Sequence, residues 1–212
     1  MVTIEKTEKL AHFDKETHSS QPLIEHLVNT ANSSRSIGQK INFAKTSFLL
    51  GILHDIGKAD PLFQDYLQSE KKNMRVVHST VGACILYKYW KNIDEINVFK
   101  SDKGRMQSFR RYLEICMYVI EAHHGLFDII GKKQKLTEEK HVYECTVNTI
   151  FSRLEDYIND KKYSYQEIEE FLENTVEPTI AKEFNDKFTG MEQFVISAFD
   201  EYVSFEEIFE KC

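Results

Sequence analysis

The chain has 212 residues, of which 42% are hydrophobic and 29% are charged, and its formal charge at pH 7 is −7. This composition is typical of a soluble globular domain and excludes a disordered chain or a membrane protein, because no run approaches the roughly 18 apolar residues of a membrane helix. The acidic balance also argues against a large basic surface for gripping duplex nucleic acid, although a metal-lined cleft can be locally positive.

The N-terminus and the cysteines favour a cytoplasmic protein. Residues 1–6 lack the apolar core of a signal peptide. The four cysteines are scattered without a C-x-x-C pair, which favours reduced thiols over a disulfide framework or a zinc knuckle. They are Cys84, Cys116, Cys145 and Cys212. Sulfur is therefore not expected to bind a metal in this chain.

Apolar residues recur at spacings of three and four, rather than two, along almost the whole chain. With only three prolines and eight glycines, this pattern predicts an all-α protein that forms a single domain over residues 1–212. Residues 1–20 are polar and are expected to be peripheral. In chain order, helices are predicted at about 22–33, 42–56, 61–67, 77–90, 109–120, 143–157, 165–172 and 192–209.

The helix predicted at 42–56 carries His54 and Asp55 at its C-terminal end, and Gly57 then suits a left-handed cap. Neighbouring residues on a helix point about 100° apart, so both cannot face the core. An ionised aspartate in so apolar a segment needs a cation or several hydrogen-bond donors, and a bound metal ion meets that need. An isolated His-Asp pair is more commonly a capping histidine beside a solvated aspartate.

Five of the eight histidines lie on or at the ends of strongly apolar predicted helices. They are His26, His54, His78, His123 and His124. One such histidine is usually a core or capping residue, but five would each carry the cost of burying a polar group. A shared metal site with Asp55 accounts for all of them, and imidazole with carboxylate suits Fe, Ni, Zn, Co and Mn. The remaining three, His12, His18 and His141, are expected to be exposed and to have no role.

The order His, then His-Asp-x-Gly-Lys, then His, then His-His resembles the HD superfamily of metal-dependent phosphohydrolases. Within it, the closest resemblance is to the HD nuclease domain of the CRISPR-associated type I helicase-nuclease. The resemblance rests on the run from Leu53 to Leu67 with its Gly-Lys and Phe-Gln, on His78-Ser79 with Gly82-Ala83, and on Ala122-His123-His124-Gly125. It extends from about His26 to Phe127 and is loose beyond.

The resemblance implies an HD-domain helical bundle with one or two divalent ions between its helices, Mg being possible besides the transition metals. It implies that His26, His54 and Asp55 hold one ion, and that Asp55 bridges to a second ion held by His78, His123 and His124. The family places a later aspartate on the first ion, and here the corresponding helix departs from the family pattern. Asp200 is the expected ligand and Glu201 its close competitor, although both equally suit solvent-facing positions.

Lysines are the remaining candidates for contacts with substrate. The resemblance implies that Lys58 contacts the scissile phosphate or orients a ligand, while a lysine near a helix C-terminus is equally expected from the helix dipole. A second group could track a DNA backbone at the rim of the site, although such lysine-rich loops are usually only solvated. It comprises Lys132, Lys133 and Lys135.

The function implied by the resemblance is metal-dependent hydrolysis of phosphodiester bonds in single-stranded DNA, as an endonuclease or exonuclease of type I CRISPR interference. Its partners would be a CRISPR helicase domain and a Cascade-type surveillance complex. The chain has no Walker A motif, so the helicase is expected on another polypeptide or beyond this C-terminus. Two alternatives remain: an HD phosphohydrolase of nucleotides or cyclic dinucleotides, which should place an arginine near a ligand motif, and a degenerate docking module, which should lack ligands.

Overall fold

Helices make up most of the computed structural model, which describes residues 8–69, 76–124, 133–135, 141–143, 147–160 and 164–209. They are α1 (Leu23–Gly38), α2 (Ala44–Leu53), α3 (Pro61–Gln68), α4 (Val81–Lys91), α5 (Lys103–Glu121), α6 (Val147–Asn159), α7 (Tyr165–Phe171), α8 (Glu177–Glu183) and α9 (Met191–Phe209). The predicted all-α bundle is confirmed. Along the described part of the chain, no helix combines the length and hydrophobicity that crossing a bilayer requires.

Two short antiparallel hairpins accompany the helices. They are β1 (Leu10–Phe13) with β2 (Ser20–Pro22), and β3 (Lys133–Lys135) with β4 (His141–Tyr143). Strands of three or four residues are too short to show an alternating pattern, and the sequence did not predict them. The first hairpin packs against α1 and α3. This part of residues 1–20 was expected to be peripheral, and that expectation is wrong.

The core forms where the long helices meet. Its fully buried members include Leu27 and Ala31 of α1, Phe48 and Ile52 of α2, Leu86 of α4, Leu113 of α5 and Phe194 of α9. α1 and α2 pack closely at Gly51, where an added Cβ would lie 2.6 Å from the Cα of Ala31. The glycine therefore allows the two backbones to touch, which fixes α2 against α1 just before the His-Asp pair.

Backbone contacts also surround the turn that follows α2. A Cβ at Gly82, in the first turn of α4, would lie 2.2 Å from the carbonyl oxygen of Leu53. A Cβ at Gly57 would lie 2.3 Å from the carbonyl oxygen of His78. Because backbone meets backbone at both points, the end of α2 and the segment before α4 are held together without intervening side chains.

The opposite end of the bundle is closed by α9. Its Glu201 carboxylate accepts hydrogen bonds from the backbone N–H groups of Lys45 (2.7 Å) and Thr46 (3.3 Å), which are among the unsatisfied donors at the start of α2. Asp200 is exposed and pairs with Arg105 at the start of α5. This end therefore lies a full helix length from the C-termini of α2 and α5.

Several boundaries differ from the prediction, and two of them concern the site. α2 ends at Leu53, and a 3-10 turn over Ile56–Ala59 follows. α4 begins at Val81 rather than near 77, so His78 precedes the helix instead of lying in its first turn. Asp60 then starts α3, since its Oδ1 accepts from the Leu62 N–H at 2.8 Å.

Candidate metal centre

The histidines predicted to share a site are brought together by four segments of the chain. They are His26 in the first turn of α1, His54 with Asp55 directly after α2, His78 shortly before α4, and His123 with His124 in the 3-10 turn that follows α5. Six of the seven predicted metal ligands therefore meet, and α2 and α5 both end at this place.

Helix carbonyls orient two of the imidazoles. His54 Nδ1 lies 2.7 Å from the carbonyl oxygen of Gly51, and His123 Nδ1 lies 2.6 Å from that of Ile120. Each carbonyl belongs to the last turn of a helix, and that of Ile120 also accepts the backbone N–H of Ala122. With Nδ1–H donating to a carbonyl, the lone pair resides on Nε2, which is the arrangement found in metal-binding histidines.

The two carboxylate oxygens of Asp55 face different histidines. Oδ2 lies 3.0 Å from His26 Nε2 and 3.3 Å from His54 Nε2. Oδ1 lies 3.6 Å from His78 Nε2 and 3.3 Å from His123 Nε2. The carboxylate therefore belongs to both donor groups, and it can bind one ion with each oxygen.

The donor spacing fits divalent ions. Two donors that bind one ion at about 2.1 Å lie about 3.0–3.4 Å apart, close to the distances around Asp55 and to the 2.8 Å between Nε2 of His78 and Nε2 of His124. Asp55 Oδ1 and His123 Nε2 are buried and make no hydrogen bond within the described residues. A cation between them would satisfy both atoms.

The pKa shifts favour the metal-binding forms of Asp55 and His78 and oppose that of His123. Burial alone would raise the pKa of Asp55, but contacts with His123, His26 and His54 outweigh it and hold the carboxylate ionised. Burial lowers the pKa of His78 to about 4, against the attraction of Asp55. The pKa of His123 is raised, because its contact with Asp55 outweighs burial.

A family comparison agrees with this geometry. The model of the HD domain matches residues 23–154, which include all six converging ligands. The chain belongs to the HD domain family. Membership supports a metal-dependent phosphohydrolase, and the predicted resemblance to the HD superfamily is confirmed at that level. No curated protein and no solved structure matches the chain significantly.

Lys58 is a cationic residue beside the donors of this HD domain. Its Nζ lies 2.8 Å from Asp55 Oδ2, and both side chains are almost fully buried. The ammonium also lies 5.8 Å from the centre of the Phe63 ring. Lys58 therefore contacts the shared carboxylate, as expected of a residue that orients a ligand.

The structure does not bring Asp200 to the metal centre, and this corrects the prediction. Asp200 pairs with Arg105, which lies about 24 Å along α5 from its last residue, Glu121, at 1.5 Å per residue. Its competitor Glu201 accepts a hydrogen bond from the backbone N–H of Lys45 at the start of α2, about 13 Å along that helix from His54. Both acids are occupied at the far end of the bundle, so the first donor group contains three residues.

His12 lies beside the site, which the sequence analysis did not predict. Its ring packs edge-on against His26, with centroids 5.1 Å apart. Burial lowers its pKa, as do the nearby charges of Lys58 and His26. The only sequence signal was the short run from Leu10 to Phe13, which is too brief to indicate a strand. His18 is exposed in the turn of the same hairpin, as expected.

The lysines predicted to follow a DNA backbone fall largely outside the described residues. Lys132 lies outside the described residues, and the side chains of Lys133, Lys135 and His141 lie outside them too. A contact of this segment with substrate stays a prediction.

Proposed function

We propose that the protein is an HD-type metal-dependent nuclease that hydrolyses phosphodiester bonds of single-stranded DNA in type I CRISPR interference. It would act with a CRISPR helicase domain and a Cascade-type surveillance complex. The observation that carries the proposal is the shared carboxylate of Asp55, with each oxygen facing its own group of histidines. The branch within the HD family is supported by the sequence resemblance around Lys58 and the following Phe63-Gln64.

The accessibility of the donors suits a polymeric substrate. The side chains of His26, His54, His78 and His123 each retain 17–19% exposure, and His124 is exposed. These side chains are therefore partly open to solvent. An internal phosphodiester can reach such a site without its strand ends being threaded through a closed chamber.

The residues of the metal centre have distinct roles in this proposal. Divalent ions held by the two donor groups would polarise a phosphate and lower the pKa of a bound water. Asp55 fixes the spacing of the two groups, and the carbonyls of Gly51 and Ile120 fix the rings of His54 and His123. Lys58 adds a positive charge beside the shared carboxylate, where it can stabilise the charge that develops on the phosphate.

The test offers several phosphoesters to one preparation. Circular single-stranded DNA, linear duplex DNA, nucleotides and cyclic dinucleotides are incubated separately with the protein and Mn²⁺, Ni²⁺ or Co²⁺. We expect cleavage of the circle, which has no ends, and poor cleavage of the duplex, whose paired strands cannot bend individually into the site. Added salt should reduce cleavage only modestly, because an acidic chain with little basic surface neutralises few phosphates and releases few counterions on binding DNA.

Two variants control the assay. Asp55→Ala should abolish cleavage more completely than the loss of any one histidine, because both donor groups lose their shared anion. Asp200→Asn removes an equally acidic side chain outside the cluster and should cleave like the wild type. Hydrolysis of the small molecules with an intact circle would establish a nucleotide phosphohydrolase instead. If none of these substrates is hydrolysed although metal is bound, a docking module is favoured.

A further inference from the structure

The first hairpin is tied to the metal centre by one side chain. Gln64 of α3 accepts a hydrogen bond from the Leu10 N–H and donates to the Leu10 carbonyl, both at 2.9 Å. The same amide nitrogen donates to the carbonyl of Lys58 at 2.6 Å. Gln64 therefore clamps β1 onto the turn that carries Lys58, and it fixes the position of His12 two residues farther along the strand.

His12 is close to the donors but is not one of them. Its ring lies as near to His26 (5.1 Å between centroids) as the ring of the ligand His54 does (5.2 Å). Yet His12 is absent from the donor atoms that lie within 4.8 Å of one another, and it is exposed, whereas His26 and His54 of the first donor group are partly buried. It therefore occupies the rim of the centre, on the side of the first donor group.

The chemistry of this rim favours an anion. Lys58 lies nearby, where its charge is paired with Asp55, and ions bound to the donor groups would make the rim positive. A phosphate bound there needs hydrogen-bond donors for the oxygens that the ions leave free. An exposed imidazole carries one N–H that can rotate toward such an oxygen.

We propose that His12 is a substrate-binding residue that donates a hydrogen bond to the phosphate of a phosphoester bound at the first donor group. Gln64 is the positioning residue that holds His12 there. The inference rests on the proposed function, since it assumes that the centre takes phosphoesters. It adds a residue from outside the helical bundle and makes the hairpin part of the site.

The experiment measures binding separately from turnover. Inorganic phosphate is titrated calorimetrically into the metal-loaded protein, and metal content is determined by elemental analysis on the same samples. His12→Ala should weaken phosphate binding about tenfold, the effect of losing one hydrogen bond to a charged group, while the metal content stays unchanged. His12→Gln, which retains an N–H donor, should recover part of the affinity. In turnover assays His12→Ala should raise KM more than it lowers kcat.

The same hairpin offers a matched control. His18→Asn changes another exposed histidine of the turn, and asparagine suits the positive φ of 54° at that position. It should bind phosphate like the wild type. Gln64→Ala should weaken phosphate binding, and the double variant Gln64→Ala/His12→Ala should be no weaker than His12→Ala alone, because both changes remove the same contact.

Each contrary result has a distinct meaning. Unchanged phosphate affinity in His12→Ala overturns the inference, and so does a wild-type protein that binds metal but no phosphate. A loss of metal from His12→Ala also overturns it, because His12 would then be a ligand. If the wild type binds phosphate through His12 yet cleaves no phosphoester, the proposed function fails and the inference about phosphate binding stands. If the wild type cleaves DNA and His12→Ala is indistinguishable from it, only the inference fails.

Discussion

Replacement of Asp55 should remove most of the stability that the protein gains from metal, and this gain can be measured by heating. A ligand that binds only the folded state stabilises it, by about 2.7 kcal/mol when its free concentration is a hundred times its Kd. The shared carboxylate divides the donors into two groups, so two ions at that excess would contribute about 5.4 kcal/mol together.

That free energy converts into a shift of the melting temperature. For a protein of this length, 1 kcal/mol corresponds to about 2–4 °C, so the wild type should gain about 11–22 °C from two ions. His26→Ala leaves the first donor group with only His54 and Asp55. Its melting temperature should therefore rise by only about 5–11 °C, from the ion bound at the second donor group. Asp55→Ala removes the anion from both groups and should gain less than His26→Ala.

Differential scanning calorimetry with Mn²⁺ and with EDTA gives the gain for each variant. Taking the difference cancels the cost of leaving Lys58 without its buried partner in Asp55→Ala. Asp200→Asn, at the far end of the bundle, should show the full wild-type gain. A gain in Asp55→Ala that exceeds that of His26→Ala would refute the bridging arrangement, and a reduced gain in Asp200→Asn would restore that aspartate as a ligand.

Two further predictions concern packing and pH. Gly82→Ala should lower the free energy of unfolding by about 1–3 kcal/mol, since its Cβ would lie 2.2 Å from the Leu53 carbonyl oxygen. Urea unfolding measures this loss. Gly104→Ala should be far less destabilising, because its Cβ would lie 3.5 Å from the nearest atom. Metal affinity should fall about tenfold per unit of pH below the raised pKa of His123, because only a neutral imidazole binds metal. His78, whose pKa is about 4, should cause no further loss of affinity until far lower pH. Calorimetric titration of Mn²⁺ that is flat from pH 8 to 6 would contradict this.

The apolar helices made the fold and most of the metal centre predictable. Neighbouring residues at the end of a helix such as α2 point about 100° apart, so local sequence indicated that His54 and Asp55 could not both face an apolar core. The convergence of His26, His78 and His123 followed from the cost of burying each of them alone. The family resemblance supplied the division into two groups.

The errors arose where distant packing decides position. Asp200 lies on a helix whose register against α2 depends on contacts such as Glu201 with Lys45, which are 156 residues apart in sequence. His12 was assigned no role because its segment is polar, yet a single amide, Gln64, fixes it beside the site. Local patterns carry no information about either contact. The start of α4 was misplaced by four residues, a common size of error at helix ends.

The convergence of two helix C-termini on one point has a consequence for the order of binding. Aligned peptide dipoles leave partial negative charge at the ends of α2 and α5, and the ionised Asp55 adds to it. An anion approaching the bare centre therefore meets repulsion, with Lys58 already paired to the carboxylate. Cations reverse the sign of the field, so the protein should be unable to hold a phosphate until its ions have bound, and chelation should release substrate as well as stop turnover.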